Sequence, residues 1–282
     1  MEENAMPVPE LRTVEIGDGR TISYREAGSG TPVVILHGLG GRSDSWAPHY
    51  EGLSDSYRVI GWDAPGYNES SEMPEEEPSI RDYTIVAKRF FDALGLDRFH
   101  LVGHSVGTCL SALFHKAHPE RLTSLTLAEA VIGNGADSKE EQDAAIAARA
   151  KDFEELGPEE VAKKKTPNSL SPNADPAAIE AAIAFAAKVK VPGHLKLAGA
   201  LIRCNIFDFV TPLACPGLII AGTDDRSAPA EFVKQIADAY PGINHQIIEG
   251  IGHQIAFEKP EMFVNMLRDH LSAAENASQA AE

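Results

Sequence analysis

Ser105 stands between two glycines in the pentapeptide GHSVG, residues 103–107. A chain that turns from a strand into a helix within one residue strains the backbone of the corner residue, usually giving it a positive φ. Glycines two places before and after the corner remove Cβ atoms that would clash there. Strain of about 1–3 kcal/mol is retained chiefly where function depends on it. The pentapeptide therefore predicts that Ser105 is a nucleophile whose hydroxyl points out of the fold.

The sequence around the pentapeptide supplies the elements that such a corner requires. Phe99–Val102 is an apolar run typical of a short buried strand. Val106 to His118 carries Leu110, Leu113 and Phe114 at helical spacing. The serine thus has the strand–turn–helix setting of a nucleophile elbow.

A serine hydroxyl needs a base to take its proton, and the base needs an acid to orient it and stabilise its charge. His253 lies in a glycine-containing loop, EGIGHQ, after the last apolar strand and before the last helix. The run GLIIA ends at Gly222 and is followed by Asp224 and Asp225. Ser105, His253 and one of these two carboxylates therefore form the candidate catalytic set.

Short apolar segments alternate with helical stretches along the chain, which is typical of a mainly parallel sheet covered on both faces. Helices are expected at about 45–53, 79–94, 106–118, 229–240 and 258–271. The eight expected strands are Leu11–Ile16, Thr21–Arg25, Pro32–Leu36, Tyr57–Trp62, Phe99–Val102, Leu122–Ala128, Gly217–Ala221 and His245–Ile248.

Residues 133–205 contain no convincing strand and are rich in alanine, and prolines at intervals mark expected breaks between helices. They predict several helices inserted between the sixth and seventh strands, either a lid over an active site or a merely decorative layer. The expected organisation is a core formed by residues 1–132 and 206–272, a cap of residues 133–205, and a disordered tail of residues 273–282.

The composition argues against several kinds of binding partner, metal site and cofactor. The chain has 282 residues, 43% of them hydrophobic, and a formal net charge of −17, so we expect no nucleic-acid or membrane partner. The acidic N-terminus without an apolar core and the lack of a long apolar run predict a soluble cytoplasmic protein. Three cysteines without C-x-x-C spacing argue against a disulfide framework and a zinc site, and no metal or cofactor is expected. Both a monomer and a homodimer are compatible with this composition.

From about Thr21 to Leu271 the chain resembles the α/β-hydrolase family, in which serine, acid and histidine follow each other in this order. The resemblance implies an α/β fold with an eight-stranded mostly parallel sheet and a helical cap inserted after strand six. It rests on HG at 37–38, WDAPGYNES at 62–70, GHSVG at 103–107, GTDDRSAP at 222–229 and GHQIAFEKPE at 252–261.

By resemblance, the acid of the family pattern G-x-x-D-x-x-x-P falls on Asp225. Asp224 remains an alternative. Glu129, at the end of the sixth strand, is another, because some relatives carry their acid there. Asp63 is interpreted as a structural turn residue, and Asn68 stands where the family commonly has glycine.

An acyl-transfer reaction also needs donors for the oxyanion. The residue after the nucleophile begins a helix, so the backbone N–H of Val106 is one candidate. By resemblance, the backbone N–H of Leu39 is the second. His37 and Gly38 of the HG turn are candidate substrate contacts, and His37 is also expected to brace the loop.

The favoured function is a serine hydrolase that cleaves a carboxylic ester or lactone through an acyl-enzyme. One alternative is hydrolysis of carbon–carbon bonds in ring-cleavage products. Relatives with that activity usually have Ser-Met-Gly-Gly at the elbow and tryptophan after the histidine, where this chain has Ser-Val-Gly-Thr and Gln254. Another alternative is a ligand-binding protein without turnover.

The insertion offers apolar side chains that suggest a small to medium hydrophobic substrate. Arg203, near the end of the insertion, is a candidate anchor for a substrate carboxylate, and its alternative interpretation is an ordinary surface arginine. The apolar candidates for the cavity wall are Ile183, Phe185, Leu195, Leu197 and Leu201.

Overall fold

An eight-stranded sheet forms the centre of the structure, a computed structural model that describes residues 8–279. Each strand matches a segment expected from the sequence to within two residues at either end. In chain order the strands are β1 (Arg12–Glu15), β2 (Thr21–Ala27), β3 (Thr31–Leu36), β4 (Tyr57–Trp62), β5 (Phe99–His104), β6 (Leu122–Ala128), β7 (Gly217–Gly222) and β8 (Asn244–Ile248).

The strand order across the sheet is β1-β2-β4-β3-β5-β6-β7-β8. Strand β2 pairs antiparallel with β1 and β4, and the remaining neighbours are parallel. The prediction of an eight-stranded mostly parallel sheet is therefore confirmed. Strands β5 and β6 are buried along their whole length, which explains why they read as nearly continuous apolar runs.

Helices cover both faces of the sheet. One apolar cluster lies between the sheet and helices α2 (Ile80–Ala93), α3 (Val106–Ala117) and α7 (Ala230–Ala239). A second lies between the sheet and helices α1 (Ala47–Leu53) and α9 (Pro260–Gln279). These five helices correspond to the five expected from the sequence. In chain order the helices are α1 (Ala47–Leu53), α2 (Ile80–Ala93), α3 (Val106–Ala117), α4 (Lys139–Lys165), α5 (Pro176–Ala186), α6 (Val191–Ile202), α7 (Ala230–Ala239), α8 (Ile255–Glu258) and α9 (Pro260–Gln279).

Three helices, α4, α5 and α6, lie between β6 and β7. We refer to residues 133–205 as the helical insertion. Helix α4 is kinked at Gly157, which has a φ of 72° and is followed by Pro158. Proline removes a backbone donor and clashes with the preceding turn, so the break occurs where the sequence places it.

The C-terminal segment differs from its expectation. Helix α9 continues through residues 273–279, which the sequence predicted as part of a disordered tail. The side chain of Ala274 is fully buried, and the hydroxyls of Tyr57 and Ser272 lie 3.2 Å apart. Packing of small side chains against the core, which composition does not reveal, holds this last part of the helix. Residues 280–282 of the predicted tail lie outside the described residues.

Within residues 8–279, no helix is both long enough and apolar enough to cross a lipid bilayer. The same part of the chain contains no group of three or more His, Cys, Asp or Glu side chains arranged to hold a metal ion.

Asp63 fixes the loop that follows β4. Its buried carboxylate accepts hydrogen bonds from the backbone N–H and the hydroxyl of Ser43 (2.7 and 2.9 Å), from the hydroxyl of Ser23 (2.8 Å) and from Asn68 Nδ2 (2.9 Å). Asn68 has a φ of 41°, a left-handed conformation that asparagine tolerates where glycine is common. The structure thus supports the interpretation of Asp63 as a structural residue.

We expect Asp63→Ala to lower the free energy of unfolding by about 3 kcal/mol, because it leaves several buried donors without an acceptor. Urea denaturation would measure the change. Asp238→Ala removes an exposed carboxylate from α7 and should change stability by less than about 0.5 kcal/mol. Equal stabilities of the two variants would contradict the structural role of Asp63.

Candidate active site

Ser105 occupies the predicted corner between β5 and α3. Its φ of 53° and ψ of −121° place a non-glycine residue in a strained conformation. A Cβ on Gly103 would lie 2.4 Å from the carbonyl oxygen of Gly107, and a Cβ on Gly107 would lie 2.3 Å from that of Leu36. Both glycines are therefore required for β3, β5 and α3 to pack this closely.

The structure brings Ser105, His253 and Asp225 together from three separate loops. His253 Nε2 lies 2.9 Å from Ser105 Oγ, and His253 Nδ1 lies 2.7 Å from Asp225 Oδ2. The other carboxylate oxygen, Oδ1, accepts the backbone N–H groups of Ser227 (2.8 Å) and Ala228 (2.7 Å). The acid is held in place, it orients the imidazole, and the imidazole reaches the hydroxyl.

The electrostatics of the pair suit a proton acceptor. Burial alone would lower the pKa of His253, but the hydrogen bond and charge of Asp225, with smaller contributions from Glu129 and Glu258, outweigh it and raise that pKa above its ordinary value. Burial would raise the pKa of Asp225, but the hydrogen bond and charge of His253, together with the backbone N–H groups of Ala228 and Ser227, outweigh it and lower that pKa. The carboxylate therefore stays ionised and stabilises an imidazolium at His253.

Glu129, one alternative acid, lies close to this set but contacts other groups. It follows β6 with a φ of 53°, and its side chain is buried. Its Oε1 accepts the backbone N–H of Ile255 at 2.7 Å, and its Oε2 lies 2.5 Å from His104 Nε2. Since Asp225 already occupies Nδ1 of His253, Glu129 supports the neighbouring loops and does not orient the imidazole.

Asp224, the other alternative, faces the helical insertion. Its Oδ2 accepts the hydroxyl of Ser171 at 2.6 Å. Two residues earlier in the insertion, the carbonyl oxygen of Ser169 accepts the backbone N–H of His253 at 2.6 Å. Asp224 thus helps to fasten the insertion to the loops that carry Asp225 and His253.

Glu258 ties the same segment to the histidine loop. Its carboxylate accepts the backbone N–H of Gly252 (3.0 and 3.1 Å) and that of Ser171 (3.0 Å). A Cβ on Gly252 would lie 2.5 Å from the backbone of Leu170, so this glycine permits the close approach. Sequence reasoning missed Glu258 as a positioning residue, although it lies inside the motif GHQIAFEKPE.

The two candidate oxyanion donors have no competing partner. Among the hydrogen bonds of residues 8–279, neither the N–H of Leu39 nor that of Val106 donates to a protein acceptor. Val106 is the first residue of α3, where the helix dipole favours negative charge. The Leu39 carbonyl oxygen accepts the Tyr67 hydroxyl at 2.8 Å and lies 3.1 Å from His194 Nδ1, which fixes the Leu39 loop.

His37 acts within the HG turn and does not line the cavity beside Ser105, so its prediction as a substrate contact was wrong. Its Nδ1 lies 2.7 Å from the carbonyl oxygen of Gly38, and its Nε2 accepts the N–H of Ala64 at 3.0 Å. Burial lowers the pKa of His37, which keeps the ring neutral for these two roles. Gly38, the other predicted contact of this turn, does line the cavity.

A cavity of about 590 Å³ opens beside Ser105 and His253, and the helical insertion forms much of its wall. Of the five apolar residues expected to line it, Leu201 does so, and four do not. On α5, Ala182 and Ala186, four residues apart, face the cavity instead. Nearly every residue of this helix is apolar, so periodicity could not identify the inward face. The apolar wall of the insertion includes Phe153, Val161, Ala162, Ala182, Ala186, Val189 and Leu201.

Arg203, the predicted carboxylate anchor, is not part of that wall. Its guanidinium forms ion pairs with Glu77 (3.0 Å) and Asp143 (3.3 Å). The expectation was wrong because the sequence did not show that two acids lie within reach. Arg149 of α4, which sequence reasoning did not single out, lines the cavity.

Comparison with known proteins agrees with the fold. A sequence model described as alpha/beta hydrolase fold matches residues 31–260. The (E)-2-((N-methylformamido)methylene)succinate hydrolase of Acinetobacter baylyi is 25% identical over 254 residues, which cover 89% of this chain and 94% of that protein. The 2-hydroxy-6-oxo-6-phenylhexa-2,4-dienoate hydrolase of Comamonas testosteroni is 37% identical over 110 residues, 38% of each chain.

Solved structures show the same architecture. A thermophilic esterase from Thermogutta terrifontis superimposes with a TM-score of 0.82 at 23% identity, covering 94% of this chain and 99% of its own. An enol-lactonase from Burkholderia xenovorans gives a TM-score of 0.78 at 21% identity, covering 93% of this chain and 100% of its own. At these identities the likeness establishes the fold.

We expect a fluorophosphonate probe to label Ser105 faster as pH rises, because only the neutral imidazole of His253 accepts the serine proton. Since Asp225 raises the pKa of that imidazole, the midpoint should lie above the ordinary histidine value of about 6.5. Asp225→Asn should move the midpoint to lower pH and slow labelling by about 10²–10⁴-fold. Intact-protein mass spectrometry across a pH series measures both.

The matched control for this prediction is Asp224→Asn, which removes the neighbouring negative charge but keeps an oxygen that can accept the Ser171 hydroxyl. It should keep the midpoint and change the labelling rate by less than about threefold. A wild-type midpoint in Asp225→Asn would show that Asp225 is not the partner of the histidine.

Proposed function

The chain belongs to the alpha/beta hydrolase fold family, and within it we propose that the protein is a serine hydrolase of carboxylic esters or lactones. The substrate is small to medium in size and partly apolar, and it is cleaved through an acyl-enzyme. The observation that carries the proposal is the hydrogen-bonded series Asp225–His253–Ser105, which ends at the wall of the cavity.

In the proposed reaction, Ser105 Oγ attacks the carbonyl carbon while His253 Nε2 takes its proton, and Asp225 stabilises the resulting imidazolium. The oxyanion that forms is bound by the N–H groups of Leu39 and Val106. Each such donor lowers the barrier by about 3 kcal/mol. The imidazolium then protonates the departing alkoxide, and a water activated by His253 releases the acid.

The cavity supports a small-molecule substrate. Its volume lies within the range of roughly 300–1,000 Å³ that small-molecule sites occupy. Because the helical insertion contributes both wall residues and the Ser169 contact to His253, we assign it the role of a lid that excludes bulk water. A decorative layer would have no such contact with the reacting groups.

Carbon–carbon bond hydrolysis is the second candidate. The local similarity to the dienoate hydrolase favours it, because 37% of the 110 aligned residues are identical. Against it stand Val106-Gly107-Thr108 at the elbow and Gln254 after the histidine, as noted above. Comparing an ester with a vinylogous diketone acid separates the two functions.

We expect wild-type protein to hydrolyse p-nitrophenyl butyrate and Ser105→Ala to lose at least about 10⁴-fold in kcat, because no other hydroxyl of residues 8–279 contacts His253 Nε2. Release of p-nitrophenol measures the rate. Ser227→Ala removes another hydroxyl of the cavity wall and should change kcat by less than about threefold. The vinylogous diketone acid should be turned over at least about 100-fold less efficiently than the ester.

Three other outcomes would contradict the proposed ester hydrolysis. Unchanged turnover in Ser105→Ala would exclude the serine mechanism. A diketone acid preferred over every ester would favour carbon–carbon hydrolysis. A folded protein that turns over no ester or lactone and leaves Ser105 unlabelled would be a ligand-binding member of the family.

A further inference from the structure

Two cationic side chains line the cavity, Arg149 and Lys165 of α4, although the chain as a whole carries a net charge of −17. Among the described residues of the wall, the single carboxylate is that of Asp137, which is exposed and accepts Asn134 Nδ2 at 2.9 Å. The charged side chains of the wall are therefore mainly cationic, in contrast to the protein as a whole.

The two cations differ in their partners. Lys165 forms an ion pair with Asp152. Arg149 has no carboxylate within 4.0 Å of its guanidinium among residues 8–279. Its one hydrogen bond runs from a guanidinium nitrogen to His194 Nε2, at 3.4 Å. The other N–H donors of Arg149 have no acceptor in the described part of the chain.

A partly buried guanidinium with no carboxylate in ion-pair contact is uncommon, because arginine is rarely removed from water unless it is paired. Burial lowers the pKa of Arg149, although the nearby Tyr67 and Asp152 act in the opposite direction. Arg203, on the same insertion, shows the usual arrangement, with two carboxylates on one guanidinium. Arg149 is left with donors that an anionic ligand can satisfy.

The position of Arg149 relates it to the reacting groups. Nδ1 of its partner His194 lies 3.1 Å from the carbonyl oxygen of Leu39. The backbone N–H of Leu39 is a proposed oxyanion donor. Burial and the charge of Arg149 lower the pKa of His194 to about 4, so the ring is neutral. It can then donate from Nδ1 and accept at Nε2. One imidazole ring thus separates the guanidinium from the oxyanion loop.

We propose that Arg149 anchors a carboxylate on the substrate, so that the protein prefers monoanionic esters or lactones of short dicarboxylic acids over neutral ones. The fork of the guanidinium matches a carboxylate in two parallel hydrogen bonds. Phe153 and Val161 of the same wall cover the carbon chain between the two ends of the substrate. This inference rests on the proposed function and names its substrate class.

The test compares p-nitrophenyl hemiglutarate with p-nitrophenyl valerate, which carries a methyl group where the first has a carboxylate. In Arg149→Met, the ratio of kcat/KM for the anionic ester to that for the neutral ester should fall by about 30–100-fold, mainly through KM. Arg149→Lys keeps the charge without the fork and should lower the ratio less. Arg203→Met, the matched control, should leave it within about twofold.

A second measurement does not depend on turnover. Calorimetric titration of Ser105→Ala with p-nitrophenyl hemiglutarate should show binding that weakens at least about tenfold when Arg149→Met is added. Should Arg149→Met fail to fold, the same titration is done with Arg149→Lys in the Ser105→Ala background. Weaker binding of p-nitrophenyl hemiglutarate would then support the anchor, and unchanged binding would overturn it.

Each outcome bears on one of the two proposals. An equal loss for both esters would mean that Arg149 only supports His194 and Leu39, and it would overturn the carboxylate anchor while ester hydrolysis stands. An unchanged ratio in Arg149→Met would overturn it too. If wild type hydrolyses neither ester and Ser105 stays unlabelled, the proposed function fails, and the titration still decides whether Arg149 binds the anion.

Discussion

The whole site depends on the backbone corner at Ser105, because a strained residue keeps its conformation only where its surroundings leave no alternative. Strand β5 is buried between β3 and β6, and Gly107 lets α3 approach the carbonyl of Leu36 without a clash. Packing on both sides of β5 therefore offsets strain of about 1–3 kcal/mol at the corner. Since β5 to β8 run parallel, the loops that carry Asp225 and His253 leave the sheet at the same edge as Ser105.

The helical insertion is coupled to the histidine loop through its backbone. The carbonyl of Ser169 accepts the N–H of His253, and Gly252 packs directly against Leu170. Glu258 binds N–H groups on both sides of this contact. A displacement of the insertion would therefore move His253 as well as the cavity wall, so the shape of the cavity and the orientation of the imidazole are linked in one set of contacts.

Charge in this protein has to be considered at two scales. The net charge of −17 describes the surface, where it governs solubility and long-range attraction. The cavity is a separate environment, in which Arg149 and Lys165 outnumber the one wall carboxylate of the described residues. Burial keeps His37 and His194 neutral, so each ring can donate through one nitrogen and accept through the other. The neutral rings of His37 and His194 thus hold the loops beside the cavity in place, and Arg149 provides positive charge in the cavity wall.

The sequence by itself determined the corner at Ser105, the eight strands and the glycine-containing loop of His253, because each of these follows from a local pattern of glycines or apolar periodicity. The tertiary structure decided which carboxylate meets the histidine, which face of α5 lines the cavity, and that Arg203 is paired whereas Arg149 is not. These outcomes depend on distances between residues far apart in the chain, and packing sets those distances. A local pattern contains no information about them.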